Sequence, residues 1–243
     1  MDSPRIRPHA DWIREAVSRM RARWLTKMAG TALGMIGFFL AYFLLLRHPL
    51  FPVTVMPLVA GDRLIEFQPH LLPVYFSLWL YVSLVPALLR DSRELASYAL
   101  AAVALAGIGL GIFFLWPTAV PPPDADWTRQ PGFALLKAAD AAGNACPSLH
   151  VAFAVFTACR LERLLRGMNA GRAIRALNWL WCAGILYSTV AVRQHVVLDV
   201  LAGAVLGAVV AGATFNGCAL TAAPRPARRA DSPAREAARA CDE

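Results

Sequence analysis

Five apolar runs, at residues 28–46, 71–89, 95–116, 176–192 and 196–215, dominate this chain of 243 residues. Each is close to the roughly 20 helical residues that cross about 30 Å of hydrocarbon. Hydrocarbon offers backbone N–H and C=O groups no partner, so a chain built this way is confined to helices or a closed barrel. Runs this long, without polar and apolar residues in alternation, select helices. A sixth run at 148–165 carries Arg160, Glu162 and Arg163 in its second half, so its uncharged part is short. With it, the expected fold is all-α, a polytopic six-transmembrane-helix bundle.

A formal charge of +8 raises nucleic acid as a partner, but the distribution of the cations argues against it. With six spans, the N-terminal segment, the loops after the second and fourth spans and the tail hold 7, 2, 5 and 5 Lys and Arg. The opposite side keeps Arg47, Arg63, Arg129, Lys137 and Arg193. The positive-inside rule then puts both termini in the cytoplasm, with the basic flanks meeting anionic lipid rather than nucleic acid. Only Lys27 and Lys137 among the 24 basic residues are lysine, and alanine is abundant, as in a GC-rich bacterial genome. The expected home is a bacterial inner membrane. The first run is too long for a secretory h-region and reads as a signal anchor.

Three segments are expected. Residues 1–27 form a cytoplasmic amphipathic segment, in which Trp12, Ile13, Ala16, Val17, Met20, Trp24 and Leu25 recur at helical spacing. Residues 28–216 form the membrane domain, and 217–243, rich in Pro, Ala and Arg, a disordered cytoplasmic tail. Residues 50–60, interrupted by Pro52 and Pro57, are too short to cross and are expected to lie in the interface or re-enter. Residues 117–145 form the longest polar connection, on the outer side. Gly107 with Gly111, and Gly203 with Gly207, have the small-xxx-small spacing of close helix packing. Cys146, Cys159, Cys182, Cys218 and Cys241 lack CxxC spacing, so neither a disulfide framework nor a cysteine zinc site is indicated, and Cys146 reads as a bystander.

The chemistry gathers at two span mouths, in Asn144-Ala145-Cys146-Pro147-Ser148-Leu149-His150 and in Arg193-Gln194-His195-Val196-Val197-Leu198-Asp199. His195 and Asp199 are four apart and would share a helix face, the carboxylate orienting the imidazole. An ionisable pair in a span is expensive and marks function. Two crossings separate His150 from His195, so both imidazoles return to the outer side, each in the first turns of an inward-running helix. Helix N-termini with free amides suit phosphate, with Pro147 and Ser148 as first-turn and capping residues. Arg193 adds a permanent cation. Asn144, Ser148 and Arg193 are the candidate phosphate-binding residues.

These motifs resemble the type 2 phosphatidic acid phosphatase superfamily, six-helix membrane enzymes acting on lipid phosphates, over residues 117–207. The family's Pro-Ser-Gly-His is matched by Pro147-Ser148-Leu149-His150, with Leu149 for glycine. Its Ser-Arg-x5-His-x3-Asp is matched in spacing by Ser188, His195 and Asp199, and 37 residues between His150 and Ser188 are also typical. The resemblance implies His195 as the nucleophile forming a phosphohistidine, Asp199 as its orienting partner and His150 as general acid, with no metal and no cofactor. The implied partner is a lipid phosphate or phospholipid substrate within the membrane lipids.

The departures are cationic. Where the family has Lys-x6-Arg-Pro, the nearest stretch has Leu115 for lysine and Pro122 for arginine, and Thr189 replaces the arginine of the later motif. The combination looks most like the branch containing inositol phosphorylceramide synthases, which transfers headgroups between lipids and alcohols. Three other readings stand beside it. These are a metal-dependent membrane hydrolase using His150, His195 and Asp199 as ligands, a transporter or channel, and a catalytically silent relative. The lipid substrate, the acceptor and the oligomeric state are open in the sequence.

Overall fold

The structure is a computed structural model that describes residues 8–122 and 144–220, with side chains from 12 to 122 and from 144 to 214. Most of the expected outer connection, with Arg129 and Lys137, lies outside the described residues, as do residues 1–7, the tail beyond 220 and the side chain of Cys218.

The chain is mostly helical. Helix α1 (Pro8–Arg21) leads through Arg23, whose φ of 52° makes the bend, into α2 (Trp24–Arg47). A short strand β1 (Thr54–Val55) and a small helix α3 (Ala60–Leu64) follow. Then come a 3₁₀ turn at Pro69–Leu71, α4 (Leu72–Phe76) and α5 (Leu78–Leu88), broken from α4 at Ser77. After α6 (Ser92–Leu115) and strand β2 (Thr118–Ala119), the described chain resumes with α7 (Leu149–Gly167), α8 (Arg172–Ala191) and α9 (Val197–Leu220).

Four segments are long and apolar enough to cross a membrane: Trp24–Arg47, Pro69–Leu88, Ser92–Leu115 and Val197–Thr214. Helices α7 and α8 have the length, at 19 and 20 residues, but carry more polar residues. The charged half of the 148–165 run does not end its helix. Glu162 accepts from Arg166 at 2.6 Å and from Arg175 at 2.7 Å, which ties the far end of α7 to the start of α8.

Residues 50–60 do not form a re-entrant helix. Prolines 52 and 57 remove backbone donors, and between them β1 pairs in parallel with β2, Thr54 opposite Thr118 and Val55 opposite Ala119. The Asn144 backbone joins beside Thr118. This two-stranded patch is the one departure from an all-α fold among the described residues.

Successive long helices run antiparallel, as contacts at the two ends show. At one end, Lys27 Nζ donates to the carbonyls of Arg19 at 2.6 Å and Ala87 at 2.8 Å, and Arg90 reaches Glu15 at 3.3 Å. Helix α1 is therefore sealed onto the bundle: Ala16 is buried with Leu88 and Leu89, and Trp12 packs against that cluster, while Ile13 and Met20 stay exposed. At the other end, Asn144 Nδ2 donates to Tyr42 O at 3.2 Å and Gln68 N to Ala191 O at 2.9 Å. In between, the Tyr81 hydroxyl donates to Asn178 Oδ1 at 2.6 Å and Asn178 Nδ2 to Ala158 O at 3.1 Å, satisfying polar groups between α5, α7 and α8.

Helices α7 and α9 cross most closely, and glycine permits it. A Cβ at Gly203 would clash with the Ser148 carbonyl oxygen, and one at Gly207 with that of Ala152. The other glycine pair is read differently by the fold. Gly107 and Gly111 meet nothing, while Gly109 between them, on the opposite face of α6, packs against Leu149.

Candidate functional site

The site lies at the end of the bundle where α7 and α9 begin. Helix α7 starts at Ser148, whose Oγ accepts from Val151 N at 3.3 Å, the N-cap its sequence position indicates. Pro147 stands just before the cap, joined to Cys146 by a cis peptide bond, and not inside the first turn. Ser148 N donates to the Asp199 carbonyl at 3.0 Å. This bond and the Gly203 crossing bring the two sequence motifs side by side.

His195 is not on a helix. Helix α8 ends at Ala191, Arg193 takes a φ of 59°, and the amides of Gln194 and His195 both fold back to the Thr189 carbonyl at 3.2 and 3.3 Å. His195 therefore precedes α9 by two residues, and only Asp199 lies in its first turn. The expected shared helix face is replaced by a capping geometry. Asp199 Oδ2 accepts from Val196 N at 3.1 Å, an acid at the third helical position reaching back to the cap, and His195 Nδ1 lies 3.5 Å from the same oxygen. That distance is at the outer limit of hydrogen bonding.

Several buried polar atoms here have no hydrogen-bond partner: Asn144 Oδ1, His150 Nε2, Gln194 Nε2, His195 Nδ1 and Asp199 Oδ1. Buried polar atoms are satisfied in the great majority of cases, so a gathering of orphans marks a place built for a polar ligand or for chemistry. Asp199 is fully buried, and the His195 side chain is 12% exposed.

The candidate phosphate-binding residues are held in specific ways. Ser148 is fully buried, with its hydroxyl spent on the cap. Asn144 uses its amide nitrogen on Tyr42 O and leaves Oδ1 unpaired. Arg193 is turned onto the segment after β1, donating to Asp62 O at 2.9 Å and Ile65 O at 2.8 Å, which leaves part of its five-donor fork for other partners.

The α9 N-terminus is not an open amide cradle. Val196 N is taken by Asp199, and Val197 N by Asp62 Oδ1 at 2.7 Å. The positive end of that helix is already met by two carboxylates, one from a segment distant in sequence. Asp62 also accepts from Val59 N at 2.8 Å and is 2% exposed. Sequence reading missed it, although an acid in a largely apolar stretch was a usable signal.

Two further contacts were not legible. The Tyr75 ring of α4 stacks on His150, centroids 4.0 Å apart and planes within 4°. Cys146, read from the sequence as a bystander, touches the site. Its thiol lies against Asp199, and burial first, then the Asp199 charge, pushes that thiol up to about 11.

Fold and site together define a polytopic helical membrane protein with two histidines and a carboxylate gathered at one end of its bundle. The chain belongs to the PAP2 superfamily, whose family model matches residues 94–219 and so contains His150, Ser188, His195 and Asp199. Members of that superfamily are generally phosphatases or phosphotransferases. No curated protein and no solved structure matches the chain.

Proposed function

We propose that this protein is an integral membrane lipid-phosphate phosphatase or phosphotransferase, working through a phosphohistidine on His195 at the periplasmic face of a bacterial inner membrane. The observation that carries the reading is the 3.0 Å bond from Ser148 N to Asp199 O, which sets the His150 and His195 motifs side by side with their polar atoms unpaired. In this reading residues 28–216 are the catalytic unit, and α7 and α8 cross the membrane with the four more apolar segments.

With Nδ1 facing Asp199, His195 presents its other ring nitrogen to phosphorus. Asp199 stabilises the charge that develops on the ring, and His150 Nε2 supplies a proton to the departing alkoxide. Water or an alcohol then takes the phosphoryl group from His195, with His150 as base. Arg193 keeps its charge beside the phosphate while held by the 60–65 segment, and Asn144 and Ser148 border the site. The outward side is supported by the cations at the far end, where Arg19, Lys27, Arg90, Arg166 and Arg175 make their contacts. Against the metal-ligand reading, no three His, Cys, Asp or Glu side chains among the described residues are grouped to hold a metal.

The test is purified protein with a panel of lipid phosphates, with and without chelator, beside His195→Ala. Phosphate release or headgroup transfer that survives chelation and disappears in His195→Ala is the expected result. Turnover unchanged in His195→Ala rejects the mechanism, and a reporter fused after Gly132 that reads out as cytoplasmic rejects the orientation.

A further inference from the structure

Asp199 stands behind His195, and the sequence motifs offer no equivalent partner for His150. Two contacts from one residue fill that place. The Tyr75 ring covers the imidazole in a near-parallel stack at 4.0 Å, and the Tyr75 backbone hydrogen-bonds the same imidazole. His150 Nε2 remains buried and without a partner.

Tyr75 is itself held. It sits on α4, two residues before the break at Ser77, where Ser77 Oγ donates to Val74 O at 2.6 Å and accepts from Trp181 Nε1 of α8 at 2.8 Å. With Phe67, Leu71 and Phe76, it packs around Leu72 and Val192, the residue next to the Arg193 turn. The stack therefore links the first histidine to the turn that carries the second.

We propose that Tyr75 is a positioning residue for His150, fixing the imidazole plane so that Nε2 faces the leaving oxygen; this rests on the phosphoryl-transfer reading above. In the first half-reaction the His195 lone pair forms an N–P bond as the P–O bond to the alcohol breaks. The bonding pair leaves on that oxygen, and the His150 Nε2 proton passes to it, giving neutral alcohol and neutral imidazole. A flat ring stacked at one face leaves the imidazole free to slide little and tilt less, so the proton stays on line.

The consequence is selective. An alkoxide leaving group needs the proton and a stabilised phenolate does not, so loss of positioning depresses alkyl esters and spares aryl esters. The experiment measures kcat/KM for phosphatidate and for p-nitrophenyl phosphate with full-length protein in one detergent, for wild type, Tyr75→Leu, Tyr75→Phe and His150→Gln. The ratio of the two substrates is independent of how much protein is folded. We expect it to fall about tenfold or more in Tyr75→Leu and further in His150→Gln, within the 10²- to 10⁴-fold range typical of general acid catalysis, while Tyr75→Phe keeps the stack and stays within about twofold of wild type. A ratio unmoved in Tyr75→Leu while His150→Gln shifts it overturns the Tyr75 assignment and leaves the enzymatic reading standing. Turnover absent from wild type, or retained in His195→Ala, overturns both.

Discussion

The amide of Ser148 donates to the carbonyl of Asp199 at 3.0 Å, joining the cap of one helix to the first turn of another 51 residues away. Neither side chain makes this bond, so it holds whatever the protonation of the site. With the close approaches at Gly203 and Gly207 below it, this bond sets the two histidine motifs side by side.

Gly203 is the position where that arrangement is most easily broken. A methyl group there meets the Ser148 carbonyl oxygen, which belongs to backbone and cannot swing away. Gly203→Ala should lower stability by about 1–3 kcal/mol, as overpacking does, and reduce turnover with it. Gly107→Ala, which meets nothing, should leave both unchanged. Thermal unfolding in detergent and phosphate release measure the pair.

Asp199→Asn separates charge from capping. An amide oxygen can still accept from Val196 N, so unfolding should shift by no more than about 1 kcal/mol. The negative charge 3.5 Å from His195 Nδ1 is lost, and kcat should fall by about 10²- to 10⁴-fold, as when a histidine loses its carboxylate partner. Near-normal kcat would show that Asp199 serves the helix cap alone.

Asp62 is expected to matter for stability first. It accepts from Val197 N and Val59 N, two backbone amides of the segments it joins. Asp62→Ala leaves the α9 terminus short of an acceptor and should cost about 1–2 kcal/mol, with Asp62→Asn restoring part of it. Differential melting of the three proteins decides this.

Cys146 should resist alkylation at neutral pH. A folded thiol raised to about 11 stays protonated until the pH approaches that value, and the thiolate is the nucleophile. Mass spectrometry after iodoacetamide at pH 7.5 should find Cys146 unmodified in folded protein and modified after denaturation. Labelling of the folded protein at pH 7.5 would contradict the buried contact with Asp199.

The apolar runs announced helices because hydrocarbon leaves a backbone little choice, and Ser148 as a cap was readable from its position before Leu149. The continuous α7 was less so. Its Arg160, Glu162 and Arg163 look like the end of a span until Arg166 and Arg175 are seen to neutralise Glu162. The glycine pairs show the same limit, since identical spacing gave a helix contact at Gly203 and Gly207 and open surface at Gly107 and Gly111.

Local chemistry was therefore in the residues themselves: which segments are helical, where one of them is capped, and that His150, His195 and Asp199 are the candidates for the reactive groups. Tertiary structure alone decided that His195 sits on a turn instead of a helix, that Asp62 covers the α9 terminus from 135 residues away, and that Tyr75 faces His150. The reason is that spacing along a helix is set by its own period, whereas a stacked ring or a carboxylate arriving from another segment depends on how three or more elements pack at once.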